Sequence, residues 1–170
     1  MNLAEMQEAF DNAFDQSLVF HGFTEYMRDF EMIMQFSADP STGIPTEHFR
    51  YIFVHCVQAT ISTALPPQAW AASLDERLTD YETGSELDGY VWGVKWQALY
   101  PGFEVASQSG VGKSWSDKVG IPFYEVRVEA NGHNFDLVFS DLRVEPAPPG
   151  YSPFVVGTPF WDGKVPLPGA

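Results

Sequence analysis

The chain has 170 residues and a mass of 19.0 kDa, which is the size of one domain. Hydrophobic residues make up 45% of it and aromatic residues 15%, and this content excludes a chain that is disordered throughout. Nine Lys and Arg residues stand against 23 Asp and Glu residues, and the formal net charge of −14 argues against nucleic acid as a partner.

The first predicted elements are a helix and two strands. Residues 3–18 place apolar side chains at three- and four-residue intervals, which is the period of an amphipathic helix. Residues 25–36 and 49–61 place apolar and aromatic side chains at alternate positions, which is the period of a strand. The loop over residues 39–45 is rich in Pro, Ser and Gly, so we expect the two strands to form a wide hairpin.

A second helix and a third strand follow. Residues 67–82 begin at a pair of prolines and precede Gly84, so they predict a helix with a defined start and end. Residues 90–100 carry aromatic side chains at even positions and predict a strand. A short helix is predicted over residues 114–119.

The most sharply defined element is a hairpin over residues 124–139. Asn131-Gly132 is the preferred pair for a two-residue type I′ turn. With that turn, the register places Tyr124, Val126 and Val128 opposite Phe139, Leu137 and Phe135 on one apolar face. The same register sets Arg127 opposite Asp136 on the polar face.

These elements predict an α+β fold with a largely antiparallel sheet of five or more strands and two main helices packed on one face. We expect residues 1–145 to form this single domain. Residues 146–170 hold seven Pro and four Gly, and they also carry aromatic side chains. We expect this Pro/Gly-rich tail to lie partly across the domain.

Two side chains interrupt apolar strand rows. Arg28 lies between Tyr26 and Phe30, and His55 lies between Phe53 and Val57. A charge in a core row is costly unless it is paired, so one interpretation is a pocket formed by Arg28, His55, Trp92 and Trp96. The other interpretation has Arg28 at a strand end, His55 as a hydrogen-bonded core histidine, and the tryptophans packed against the helices.

The residues that could carry catalysis or a metal do not form a known motif. Cys56 neighbours His55, but adjacent strand residues point to opposite faces, so we expect an inert, partly buried thiol. The histidines and carboxylates show no metal-ligand spacing, and Gly110–Ser114 lacks the first glycine of a phosphate loop. We therefore predict no catalytic residue, no metal and no cofactor.

The acidic residues concentrate on the two predicted helices. Residues 1–47 and 75–88 together carry 13 of the 14 net negative charges. One interpretation is a solvated surface, and the other is a docking surface for a basic partner. The predicted binding residues are Glu8, Asp11, Asp15, Asp75, Glu76, Asp80 and Glu82.

Four stretches resemble uncharacterised bacterial proteins described as YxiG-like. They are HGFTEYMRDFEMI (21–33), HFRYIFVHCVQA (48–59), DGYVWGVKWQALYPG (88–102) and FSDLRVEPAPPGYSPF (139–154). The resemblance covers residues 20–155 and carries no active-site motif. It implies a setting among toxin and immunity genes.

The sequence therefore favours a non-enzymatic, acidic protein-interaction module, immunity-like, that neutralises a basic toxin or another cationic partner. The alternative is a small-molecule-binding domain or hydrolase with the pocket around Arg28, His55, Trp92 and Trp96. No secretion signal or membrane-spanning run occurs in the sequence, so we expect a cytoplasmic monomer or homodimer that binds neither membranes nor nucleic acid.

Overall fold

The computed structural model describes residues 1–24, 27–38, 40–67, 96–106 and 110–153. In these residues the chain forms two helices, α1 (Leu3–Asn12) and α2 (Val111–Val119), and a 3₁₀ turn at Pro40–Thr42. It also forms nine strands. They are β1 (Ser17–Thr24), β2 (Asp29–Phe36), β3 (Glu47–Val54), β4 (Gln58–Thr63), β5 (Gln97–Ala98), β6 (Gly102–Ala106), β7 (Tyr124–Glu129), β8 (His133–Phe139) and β9 (Asp141–Pro146).

The strands divide between two sheets. One has five strands in the order β5-β1-β2-β3-β9, and the other has four in the order β4-β8-β7-β6. Every neighbouring pair is antiparallel. The predicted α+β class and antiparallel pairing are confirmed. The sequence predicted one sheet, whereas the structure has two. The predicted helix 67–82, most of the predicted strand 90–100 and the tail beyond residue 153 lie outside the described residues.

Helix α1 is shorter than the sequence predicts. It starts at a capping box, in which the Asn2 side chain accepts from the Glu5 backbone and the Glu5 side chain accepts from the Asn2 backbone. It ends at Asn12, and Asp15 then adopts a left-handed φ of 59°. Aspartate tolerates that conformation better than most residues, so the chain turns here into β1. The predicted helix 3–18 therefore combines a helix with the start of a strand that the sequence did not indicate.

The predicted strand over residues 49–61 is two strands in different sheets. β3 pairs with β2 and β9, whereas β4 pairs with β8. The break falls at His55, which has a left-handed φ of 49°. Its backbone N–H donates to Asp29 Oδ1 at 2.9 Å, so a carboxylate from another strand replaces the sheet hydrogen bond that the corner loses.

The main core lies between the two sheets and is closed by α1. Phe10 of α1 stacks on Phe103 of the four-stranded sheet, with 4.6 Å between ring centroids, and on Phe53 of the five-stranded sheet at 6.3 Å. The Tyr51 hydroxyl donates to the Ala9 carbonyl at 2.9 Å and fixes the helix on β3. Other buried members of this core are Met6, Leu18, Phe30, Met32, Met34, Val126, Val128, Phe135, Leu137, Phe139 and Leu142.

The hairpin register is confirmed at every predicted pair. Val128 pairs with Phe135, Val126 with Leu137 and Tyr124 with Phe139. Five of these six side chains are buried, and Tyr124 is partly buried against the core. On the opposite face, Arg127 Nη1 lies 3.4 Å from Asp136 Oδ1.

The predicted helix 114–119 is also present, as the second half of α2. Helix α2 begins three residues earlier, because Gly112 packs closely against β7. The Gly112 backbone N–H donates to Glu125 Oε1 at 2.7 Å, and a Cβ at this position would lie 3.1 Å from Glu125 Cγ. The Glu125 carboxylate thus lies at the N-terminal turn of α2, where the helix dipole favours a negative charge.

Candidate functional site

The structure brings Arg28 and His55 to one carboxylate, that of Asp29, and neither residue lines the groove described below. Arg28 precedes β2 and its side chain is 57% exposed, with Nε 3.3 Å from Asp29 Oδ1. The same oxygen accepts the His55 backbone N–H. Arg28 therefore lies at a strand end and not within the apolar row, which starts at Phe30. Trp96 is exposed, and Trp92 lies outside the described residues.

His55 and Ser140 join the two sheets. His55 Nδ1 lies 2.8 Å from Ser140 Oγ, and the Ser140 hydroxyl lies 3.2 Å from the Val54 carbonyl. Because the carbonyl can only accept, the hydroxyl donates to it and His55 Nδ1 donates to Ser140. With these two hydrogen bonds the pair links the end of β3 to the residue between β8 and β9, at the corner between the sheets.

Cys56 is the thiol that follows this corner. Its Sγ donates to the Gln58 carbonyl at 3.1 Å. Burial raises the pKa of Cys56 to about 11, so the group is a neutral thiol near pH 7. This agrees with the expected inert thiol.

The acidic side chains of α1 face solvent. Glu8, Asp11 and Asp15 are all exposed, and Asp11 accepts a hydrogen bond from Gln7 at 2.8 Å. Glu8 and Asp15 make no ion pair with any described residue. The remaining predicted acids, Asp75, Glu76, Asp80 and Glu82, lie outside the described residues.

Exposed aromatic rings adjoin the end of α1. Phe14 is 50% exposed and Tyr100 is 62% exposed, and their ring centroids are 5.7 Å apart. Two backbone hydrogen bonds of 2.9 Å hold the chain segments together, one from Asp15 N to the Leu99 carbonyl and one from Leu99 N to the Gln16 carbonyl. We call Asp11, Phe14, Asp15 and Tyr100 the acidic–aromatic patch. Large exposed rings beside unpaired carboxylates are typical of a protein-binding surface.

An ionic cluster lies on the face of the five-stranded sheet that points away from the other sheet. Arg50 donates to Glu31 Oε2 through Nη2 at 2.7 Å and through Nε at 3.1 Å, and Nη1 lies 3.4 Å from Glu145 Oε2. Tyr151 donates to the same Glu31 oxygen at 2.9 Å, and the Arg50 guanidinium lies 4.3 Å from the Tyr151 ring centroid. Burial alone would lower the pKa of Arg50, but the hydrogen bonds and charge of Glu31 outweigh it and raise the pKa. Arg50 is therefore a permanent cation.

A groove of about 740 Å³ lies beside this cluster. Val19 and Ile33 come from β1 and β2, and residues 46–49 form one wall. Residues 146–151, which we call the strap, form the other wall and end at Tyr151. The Ala147 N–H donates to the His48 carbonyl at 2.8 Å, so the strap is fastened to β3 at one end and to Glu31 at the other. A groove of this size accommodates a small molecule or a short peptide segment.

A comparison with protein-family models assigns the chain. The model described as YxiG-like protein matches residues 2–157, which includes α1, the patch, the cluster and the groove. The chain belongs to the YxiG-like protein family. A search of curated proteins finds no match.

The YxiG-like domain also holds a histidine pair between its sheets. His21 of β1 and His133 of β8 have ring centroids 6.2 Å apart, and His21 packs edge-on against Phe135 at 4.8 Å. Burial lowers the pKa of both histidines, and the charge of His133 lowers the pKa of His21 further. In the described part of the chain, His133 Nδ1 is buried without a hydrogen-bond partner.

The part of the YxiG-like chain that the structure describes contains no group of three or more His, Cys, Asp and Glu side chains placed to hold a metal ion. It also contains no helix with the length and apolar character needed to cross a membrane.

Sequence reasoning missed the cluster and the groove of this YxiG-like domain. One signal was present, because Arg50 is the single basic residue in residues 48–74. Its position on a strand, opposite the row of Phe49 and Tyr51, places it on the outer face once the inner face is known. Nothing local identifies Glu31 or Tyr151 as its partners, since these pairings span 19 residues or more.

Proposed function

We propose that this YxiG-like domain is a non-enzymatic interaction module that binds a protein with a basic surface. The proposed role is immunity-like: the domain neutralises a basic toxin or another cationic partner in the cytoplasm. The observation that carries this proposal is the acidic–aromatic patch, in which exposed Phe14 and Tyr100 adjoin exposed carboxylates.

The distribution of ion pairs supports a free negative surface. Each arginine in the described residues already contacts carboxylates of the same chain: Arg28 with Asp29, Arg50 with Glu31 and Glu145, Arg127 with Glu129 and Asp136, and Arg143 with Asp29 and Glu145. Glu8 and Asp15 have no such partner there. A basic partner therefore meets carboxylates whose charge is not neutralised within the domain.

The aromatic pair supports a defined docking point. Aromatic side chains bury a large area with few rotatable bonds, and they often form the energetic centre of a protein interface. Phe14 and Tyr100 already contact each other, so little side-chain freedom is lost on binding. The carboxylates around them give the association its speed and its salt dependence.

The test starts from a partner captured by the domain and identified by mass spectrometry. Association rates are then measured by stopped-flow at low and at moderate salt, for the wild type and two double variants. Asp11→Asn with Asp15→Asn removes the two patch charges at the end of α1, whereas Glu104→Gln with Asp117→Asn removes two exposed charges elsewhere. We expect the α1 variant to associate about tenfold more slowly at low salt and the control variant to associate nearly as fast as the wild type.

The aromatic anchors are tested separately. Phe14→Ala combined with Tyr100→Ala should speed dissociation and weaken affinity by at least about thirtyfold, which corresponds to about 2 kcal/mol at an interface centre. The melting temperature of each variant shows whether it is folded. Equal slowing by both charge variants, or unchanged affinity without the rings, would reject the patch as the docking surface.

A further inference from the structure

The groove beside the strap is a second surface with its own chemistry. Its floor is aliphatic at Val19 and Ile33, and Phe49 and the strap prolines add apolar walls. Glu47 lies on its wall, is exposed, and makes no ion pair with any described residue. Among the described residues, the groove thus combines apolar walls with one carboxylate that makes no ion pair.

The electrostatic setting of the groove is negative. In the adjoining cluster, Glu31 and Glu145 face the single guanidinium of Arg50. Glu31 is fully buried, and its second oxygen, Oε1, has no hydrogen-bond partner among the residues that the structure describes. Arg143 also contacts Glu145, but it is shared with the buried carboxylate of Asp29. Arg28 contacts Asp29 as well, so the four carboxylates of Asp29, Glu31, Glu145 and Glu47 stand against three arginines.

A cation with an apolar stem fits this combination. The methylene stem of an arginine packs on Val19 and Ile33, while its guanidinium reaches a carboxylate such as Glu47. Guanidinium groups are weakly hydrated and stack on aromatic rings, as Arg50 already does on Tyr151. Lysine is less suited, because its ammonium group is strongly hydrated and does not stack.

We propose that the groove receives an arginine from an extended segment of the basic partner. This inference rests on the proposed function and deepens it, because it gives the partner a second contact at a defined site. The groove and the patch both adjoin the start of β1, since α1 ends at Asn12 and Val19 lies in the groove. We expect one partner to engage both surfaces.

The probe for this site is the blocked pentapeptide Ac-Gly-Ala-Arg-Ala-Gly-NH₂, titrated into the full chain. Binding is followed by NMR through the methyl signals of Val19 and Ile33. The matched peptide carries citrulline in place of arginine, which keeps the stem and the planar head but removes the charge. We expect the arginine peptide to shift both methyl signals and to bind at least about threefold more tightly than the citrulline peptide.

Two variants locate the contact. Glu47→Gln should weaken the arginine peptide about threefold, and the matched control Glu104→Gln, an exposed glutamate in the other sheet, should leave the affinity unchanged. Ala147→Leu narrows the groove without changing its charge and should also weaken binding. Equal binding of both peptides, equal effects of Glu47→Gln and Glu104→Gln, or methyl signals that do not move would overturn the proposal.

The two proposals fail separately. The charge variant of α1 should leave the pentapeptide affinity unchanged while it slows association of the whole partner. Normal partner association in that variant, together with charge-dependent peptide binding at the groove, rejects the patch and retains the groove. Slowed association without charge-dependent peptide binding retains the patch and rejects the groove.

Discussion

The two faces of strands β2 and β3 are buried in different ways. On the inner face, Phe30, Met32 and Phe53 pack into an apolar core between the sheets. On the outer face, Glu31 is as buried as these residues but is held by Arg50 and Tyr151. Burial alone therefore does not tell which face stabilises the domain, because desolvation of an ion pair offsets much of its attraction. The inner face holds the fold together, and the outer face positions the strap and the groove.

The largest expected effect comes from opening the inner face. Phe53 is fully buried and contacts the rings of Phe10 and Phe139, so Phe53→Ala leaves a cavity that its neighbours cannot fill. We expect the free energy of unfolding in urea to fall by about 3–5 kcal/mol. The matched control is Ile61→Ala on β4, where the side chain is 41% exposed and the expected loss is below about 1 kcal/mol. Similar losses at both positions would contradict the assignment of the core.

A smaller effect is expected when only one partner of the Arg50–Glu31 ion pair is replaced. Arg50→Met leaves the buried carboxylate of Glu31 without its guanidinium, and we expect a loss of about 3 kcal/mol in the free energy of unfolding. Replacing both partners, as Arg50→Met with Glu31→Met, should restore most of that loss. Arg127→Met breaks an exposed pair on the other sheet and should cost less than about 1 kcal/mol. If Arg50→Met were as mild as Arg127→Met, the cluster would have no structural role.

The smallest effect is a pH dependence that belongs to the inner face. Because the pKa of His21 and of His133 is lower in the folded chain than the ordinary value of 6.5, the unfolded chain takes up protons first as the pH falls. The free energy of unfolding should therefore decrease as the pH falls below about 6.5. The measurement is urea unfolding at pH 7 and pH 5. In the double variant His21→Gln with His133→Gln, the free energy of unfolding should decrease less between pH 7 and pH 5.

The control for this prediction is a histidine of the outer face. His48 is exposed on the wall of the groove, so His48→Gln should leave the decrease between pH 7 and pH 5 in place. An equal reduction in both variants would show that the pH dependence does not arise between the sheets.

The elements that could be predicted from sequence are those whose determinants are local. The hairpin over residues 124–139 has a turn dipeptide and two strand faces that all indicate one register, and the structure has that register. The strand break at His55 has no such signal, because the alternation of apolar residues continues through it. The break depends on Asp29, which lies 26 residues away and accepts the His55 backbone N–H.

The candidate site divides in the same way. The period of the apolar residues in an amphipathic helix also predicts which acids are exposed. The exposure of Glu8 and Asp11 could therefore be predicted from the sequence. The same period extended the helix too far, because Leu18 continues the apolar spacing although it belongs to β1. Phe14 and Tyr100 form a patch through contacts between distant segments, and Glu31, Arg50 and Tyr151 meet only after three strands have paired. Spacing along the chain does not determine such groupings.

The two corners between the sheets have a consequence for folding kinetics. The chain leaves the five-stranded sheet after β3, returns to it briefly at β5, and returns again at β9, so that Phe53 of β3 pairs with both Phe30 and Leu142. In chain order, β9 follows the four strands of the other sheet, so its pairing with β3 closes a long loop. Most of the loop-closure entropy is therefore lost before the pairing that compensates for it, which is typical of slow folding. Because strands of the two sheets alternate along the chain, we expect the two sheets to unfold as a single cooperative unit.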